Sequence, residues 1–157
     1  VGQKVTEVRA HCGTWAHKAI EVEDVAMGLL TFESGILGTV YANTVYAYDP
    51  PNFLEIYGTK GVIRIEGTTA TIRTGNQVTI VEEGGGDAAG VDYIKSTGVG
   101  YWGFSHKRQI REFYQDLLAG RGHRIDGDVG KIPTLLVLAM YESSRQNAPV
   151  AFPDGLK

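Results

Sequence analysis

The stretch from Val22 to Gly67, VEDVAMGLLTFESGILGTVYANTVYAYDPPNFLEIYGTKGVIRIEG, constrains the fold more than any other part of the chain. Its apolar runs are punctuated by turn-forming clusters, and the order reads as four strands in a meander. Two central strands join through Glu33-Ser34-Gly35, and a shorter pair joins through Gly58-Thr59-Lys60-Gly61, with the glycines that hairpins require. In the central pair Val25, Met27 and Leu29 point one way while Ala26, Leu30 and Phe32 point the other; Leu37, Tyr41 and Val45 likewise oppose Ile36, Val40 and Ala42. Strands that are apolar on both faces need cover on both faces.

Further along, Val62-Ile63-Arg64-Ile65-Glu66, Ala70-Thr71-Ile72-Arg73 and Val78-Thr79-Ile80 alternate apolar with polar residues, as strands with one dry face do. After a glycine-rich passage the period changes from two to 3.6. SHKRQIREFYQDLLAGR places Ile110, Phe113, Tyr114, Leu117 and Leu118 on one stripe, which predicts an amphipathic helix with Ser105 as N-cap and Gly120 as the C′ glycine. A second helix is expected from about Asp128 to Gln146, ended by Asn147 and Pro149. Ile132, Leu135, Leu136, Ala139, Met140 and Ser143 form one side of it and Val137, Leu138 and Tyr141 another, so it should be mostly buried. Pro133 falls one turn inside, so this helix is expected to begin later or bend there.

Strands first and helices last predict one α+β domain over residues 1–157, two layers deep: a mainly antiparallel open β-sheet backed by two helices. The helices can cover one face only. The other face is left partly apolar, which usually marks an interface, here expected to be a homo-oligomeric one.

At 157 residues the chain can bury a core without staples. Its single cysteine, Cys12, cannot pair within the chain, which fits a reducing compartment and makes the cytoplasm the expected location. The net charge is −3, from 15 basic and 18 acidic residues that are interspersed, so no basic stripe exists to neutralise a row of phosphates and nucleic acid is not an expected partner. No apolar run approaches the roughly 20 residues of a membrane span, so no membrane is expected either. The chain begins at Val1 and enters a strand pattern within a few residues, as a piece cut from a longer protein, or a processed start, would.

Three segments in this order, spanning most of residues 20 to 150, resemble the carboxy-terminal domain of the Gfo/Idh/MocA oxidoreductases: IEVEDVAMGLLTFESGILGTVYAN, LEIYGTKGVIRIEG and GFSHKRQIREFYQDLLAGRGHRIDGDVGKIPTLLVLAMYESSRQNAPV. The resemblance implies a fold of the dihydrodipicolinate-reductase-like or glyceraldehyde-3-phosphate-dehydrogenase-like carboxy-terminal type. It also implies that this chain is the substrate-binding and oligomerisation half of an NAD(P)-dependent dehydrogenase. Hydride would pass between the nicotinamide and a sugar, inositol or related polyol, and the fragment alone would be inactive. The Rossmann domain that holds the dinucleotide, the lysine used in catalysis, and a helix bearing an acid and a histidine precede this segment in the family and have no counterpart here. A stand-alone, non-catalytic binding or dimerisation module is the alternative.

Gly84-Gly85-Gly86-Asp87-Ala88-Ala89 formally matches G-x-G-x-x-A, yet no helical stripe and no βαβ unit follow, so a loop is expected and no cofactor site is assigned in this chain. His11, Cys12, His17 and Glu21 suggest a metal site, but neighbouring strand residues face opposite ways and no metal is expected. Asp24 either caps backbone amides at the strand entry or looks into the active-site cleft; short acids bond locally to backbone, which favours the first. Tyr46 and Tyr48 lie where the central strand runs into Asp49-Pro50-Pro51-Asn52, the end of the sheet that faces substrate in the family, and His106 lies in the first turn of a helix. The resemblance makes these three the expected substrate contacts, with no catalytic residue in the chain. The plain alternatives are apolar cover at a sheet edge for the tyrosines and a solvated helix start for His106.

Overall fold

The computed structural model describes residues 2–48, 50–67, 69–82 and 105–152. In chain order these form β1 (Val5–Gly13), β2 (Val25–Phe32), β3 (Leu37–Asn43), β4 (Phe53–Gly58), β5 (Gly61–Glu66), β6 (Thr69–Thr74), β7 (Gln77–Glu82), α1 (Ser105–Leu118), α2 (Gly127–Gln146) and β8 (Val150–Ala151). They divide into two compact units, Val1–Ala47 with Asp116–Lys157, and Tyr48–Gln115. The α+β class with antiparallel strands and two helices is the one expected. The single meander is not observed: β2 pairs with β3 and β4 with β5, but the two hairpins belong to separate four-stranded sheets.

The first unit has the strand order β3-β2-β1-β8, antiparallel throughout. Its central hairpin closes where expected, with the Phe32 amide donating to Ile36 O at 2.9 Å and Gly35 at φ +82°, a backbone that glycine adopts without a Cβ penalty. Val8, Ala26 and Leu30 from the sheet meet Ala139 and Met140 from α2 and Phe152 beyond β8 to form the core. Gly28 marks the close approach of helix to sheet, since a Cβ there would stand 3.0 Å from Met140 Cε. β8 pairs only with Glu7 and Val8, and further along the same edge α2 takes over the role of a strand. The amide of Ala10 donates to Ser143 Oγ and that of Cys12 to Ser144 Oγ, both at 2.9 Å. Ser143 is fully buried and donates in turn to Ala148 O at 2.6 Å. Two helical serines thus satisfy edge amides that would otherwise invite another strand.

The helix ends follow local chemistry. α2 starts one residue before the expected start, behind Asp126, whose carboxylate accepts from the Val129 amide, and runs continuously through Pro133. Asn147, at φ 52°, closes it in the left-handed region. Only one side is buried, through Ala139, Met140 and Ser143, whereas Val137, Leu138 and Tyr141 are exposed, so the expectation of a mostly buried helix is corrected. Ser105 is the first residue of α1 rather than its cap. At the other end Gly120, at φ +65°, sits at C′: its amide donates to Leu117 O and the Arg121 amide to Asp116 O, the paired bonds of a Schellman motif. The stripe of α1 was expected to back the sheet, but Ile110, Leu117 and Leu118 are exposed.

The second unit carries the sheet β4-β5-β6-β7, also antiparallel. One face gathers Leu54, Ile56, Ile63, Ile65, Ala70, Ile72 and Val81. The other holds Arg64 between Glu55 and Glu66, at 2.9 and 2.7 Å, with its guanidinium 4.5 Å from the centre of the Phe53 ring. No helix among the described residues is long and apolar enough to cross a membrane.

Candidate functional site

One carboxylate organises the turn after β1. Asp24, only 2% exposed, accepts from the amides of Ala16 at 2.7 Å, His17 at 2.8 Å and Trp15 at 2.9 Å. Its own amide donates to Gly13 O and its carbonyl accepts from the Thr44 amide, so one residue joins β1, the turn and the end of β3. Burial pushes the Asp24 carboxyl up, but the amides of His17, Trp15 and Ala16 and the His17 charge outweigh it and hold the group at about 2.

The same turn fixes an indole. A Cβ at Gly13 would stand 2.6 Å from Trp15 Cη2, so the ring lies directly over this glycine. The Trp15 ring is also 6.3 Å from that of His11. His11 and Gly13 share a face of β1, pairing with Met27 and Val25. Trp15 therefore lies on the face of the first sheet that α2 leaves open.

Across that face the end of β3 is built by side chains. His17 Nε2 lies 3.2 Å from Thr44 O. Asn43 Oδ1 accepts from the Val45 amide at 2.6 Å, a local turn that short polar side chains favour, and its Nδ2 donates to Tyr41 Oη at 2.7 Å. The Tyr41 and Tyr46 rings meet edge to face, with centroids 6.5 Å apart at 87°. Tyr46 thus stands three residues beyond the end of β3, held against the open face rather than on a strand. Met27 (55% exposed), Leu29 (44%), Leu37 (65%) and Tyr41 (51%) make this face apolar. Arg9, His11 and Thr39 join Met27, Leu29 and Tyr41 around a shallow depression of about 490 Å³.

The other expected contacts lie elsewhere in the chain. Tyr48 and His106 belong to the second unit, and both are exposed. The glycine stretch Gly84 to Ala89 and Asp49 lie outside the described residues. His11 faces the open side of the sheet and Cys12 the helix side, while His17 is engaged with Thr44; among the described residues no three His, Cys, Asp or Glu are grouped to hold a metal. Burial and the charge of Glu23 push the Cys12 thiol up, although the Ser144 hydroxyl pulls the other way. Tyr141 Oη donates to Glu23 Oε1 at 2.7 Å, and that bond raises the phenol. After α1, His123 Nδ1 and Arg121 both donate to Asp116, at 2.9 and 2.7 Å, which lowers the Asp116 carboxyl. Asp24, Asp116 and Glu23 are thus engaged by amides, by cations and by a phenol respectively, while the open face of the first sheet presents aromatic and apolar side chains. Trp15, Asn43 and Ser144 were given no role in the sequence, and Ser143 was placed only on one side of the second helix; a short polar residue at a strand end was the one local signal for Asn43.

Residues 1–64 match the family model described as the GFO/IDH/MocA C-terminal domain. No curated protein matches the sequence. Among solved structures, levoglucosan dehydrogenase in complex with NADH and levoglucosan is 22% identical, with a TM-score of 0.76, and the match covers 97% of this chain and 46% of that one. An oxidoreductase from Agrobacterium radiobacter in complex with NAD+, L-tartaric acid and magnesium is 22% identical, with a TM-score of 0.75 over 96% of this chain and 44% of the other. Aldose-aldose oxidoreductase from Caulobacter crescentus complexed with glycerol gives 20%, a TM-score of 0.71, and 96% and 42% coverage. The chain therefore spans less than half the length of the structures whose fold it shares. The resemblance to the carboxy-terminal domain of this family holds, in the family match over residues 1–64 and in the fold of the chain.

Proposed function

From that premise, we propose that the chain is the substrate-binding and oligomerisation half of a longer NAD(P)-dependent oxidoreductase that acts on a sugar, inositol or related polyol. The observation that carries this reading is the asymmetry of coverage: nearly all of this chain overlays less than half of an NADH-bound sugar dehydrogenase. The remainder of such an enzyme would be an amino-terminal Rossmann domain. The paired strands described here are antiparallel, whereas a dinucleotide needs a parallel strand–glycine–helix unit, so the nucleotide would be held by that missing domain and not by these residues. When bound there, it would supply the hydride acceptor or donor. This chain's part would be to bind and orient the substrate, through Tyr46, Tyr48 and His106, while Asp24 fixes the turn beside the sheet.

The open face of the first sheet is the proposed contact between copies. One apolar face was expected to stay uncovered without its being settled which; the face of Met27, Leu29, Leu37 and Tyr41 is the exposed one, and two such faces would stack about 10 Å apart. The lone thiol Cys12 supports a cytoplasmic location, which fractionation of the source cells would check.

The test is the parent open reading frame and its product. A glycine fingerprint upstream, together with NAD- or NADP-linked oxidation of a sugar or polyol by the full-length protein, is the expected result. A start codon at the head of this chain, with no upstream domain, would replace this reading with the stand-alone, non-catalytic module. Micromolar binding of either dinucleotide by the 157-residue chain, measured by calorimetry, would also overturn the division of labour.

A further inference from the structure

We propose that pairing of two copies on the open face of the β3-β2-β1 sheet sets the position of Tyr46, through Tyr41 and Asn43. The inference rests on the self-association proposed above and adds that assembly and the Tyr46 contact are coupled. Tyr41 lies opposite Met27 on this face, half exposed. Its ring takes the edge contact with Tyr46, and its hydroxyl takes the Asn43 side chain that also holds the Val45 amide. One end of the tyrosine is therefore committed to the segment that carries Tyr46, and the rest of it faces whatever covers the sheet.

A second copy of this chain suits that face by charge as well as by apolarity. Glu7 and Arg9 are exposed, opposite in sign and on the same face of β1. A two-fold axis that crosses the β1 strands antiparallel would set each Glu7 against the other copy's Arg9, and by the register the row Arg9-Leu29-Thr39 would then lie over the other copy's row Glu7-Thr31-Leu37, so that Leu29 and Leu37 meet side by side. Burying Tyr41 in such a contact removes its freedom to rotate, and the Tyr46 ring packed against it loses freedom with it. Substrate recognition at Tyr46 would then be complete only in the assembled protein.

Fluorotyrosine-labelled chain, followed by fluorine NMR and sedimentation velocity over the same concentration series, tests this, with the Tyr46 signal assigned by Tyr46→Phe. The Tyr46 signal is expected to shift with the same midpoint as association. Asn43→Ala should still associate but lose most of that shift, and Tyr41→Phe, which keeps the ring and loses only the Asn43 bond, should reduce it. Tyr41→Ala should weaken association by about tenfold or more, as removal of a central aromatic anchor does. Association with an unmoved Tyr46 signal overturns the coupling and leaves self-association standing. A strict monomer at high concentration overturns both.

Discussion

Asp24 shows how much a single short side chain can determine. Its carboxylate gathers three consecutive amides, which is the geometry that favours the charged form, and its pKa near 2 lies below the ordinary aspartate value of about 3.9. A depressed carboxyl contributes stability that is fully present above the unfolded value and is lost as pH falls through the folded one. The stability of the chain should therefore fall between about pH 4 and pH 2, and Asp24→Asn should flatten that part of the profile. Urea denaturation at stepped pH measures it, and an unchanged slope in the variant would remove Asp24 from the account. The local role was legible, because a short acid at a strand entry has few other partners. The amides it would bind were not legible, since nothing in Trp15-Ala16-His17 signals a turn folded around an anion. The expected substrate contacts are tested at the same scale: in the full-length enzyme, Tyr48→Phe or His106→Ala should lower kcat/KM roughly two- to tenfold, as loss of one neutral hydrogen bond does, with nucleotide binding intact. Normal turnover by both variants would withdraw the assignment.

Elements were legible where a period or a turn residue fixed them. The hairpin glycines, the three outer strands and the glycine end of α1 lie where the sequence placed them; a positive φ at Gly35 and Gly120, and strict alternation in the strands, each admit few readings. Which strands pair was less legible. The segment between Asn43 and Phe53 looks like a connection within a meander, yet it separates two sheets, and local propensity carries no information about that choice. Burial of α2 was over-read for a related reason: Val137 and Leu138 are apolar, but a helix lying on one sheet edge buries only the side that carries Ala139, Met140 and Ser143. The serines are the part of α2 with the sharpest consequence. Ser143→Ala would leave the Ala10 amide and the Ala148 carbonyl without their hydroxyl at a fully buried position, at a cost of about 1–3 kcal/mol. Chemical denaturation should show it, and amide exchange should rise at Ala10 before it rises at Val8, whose strand partner remains. A variant as stable as the parent would mean that water replaces the hydroxyl.

The molecule as a whole is defined by what it leaves uncovered. One face of the β3-β2-β1 sheet is packed by α2 and the other presents Met27, Leu29, Leu37 and Tyr41, with the Trp15 ring lying over Gly13 at its margin. That imbalance was readable from the sequence, since both faces of β2 are apolar and the helices could serve only one. The placement of Trp15 was not, because it depends on the Asp24 turn rather than on any periodicity. Tryptophan held rigid and half exposed is the kind of residue that anchors an interface. Gly13→Ala would drive a methyl group into the indole and force the ring off the sheet, and Met27→Lys would place a charge in the middle of the apolar patch, where each copy would have to bury it. Both variants should fold, because neither position faces the core, and both should associate more weakly than the parent, Met27→Lys by about tenfold or more. Sedimentation velocity across a concentration series, with Trp15 emission as a second readout for Gly13→Ala, gives the result. Undiminished association in both variants would move the contact to another surface, and the exposed stripe of α1 would be the next to test.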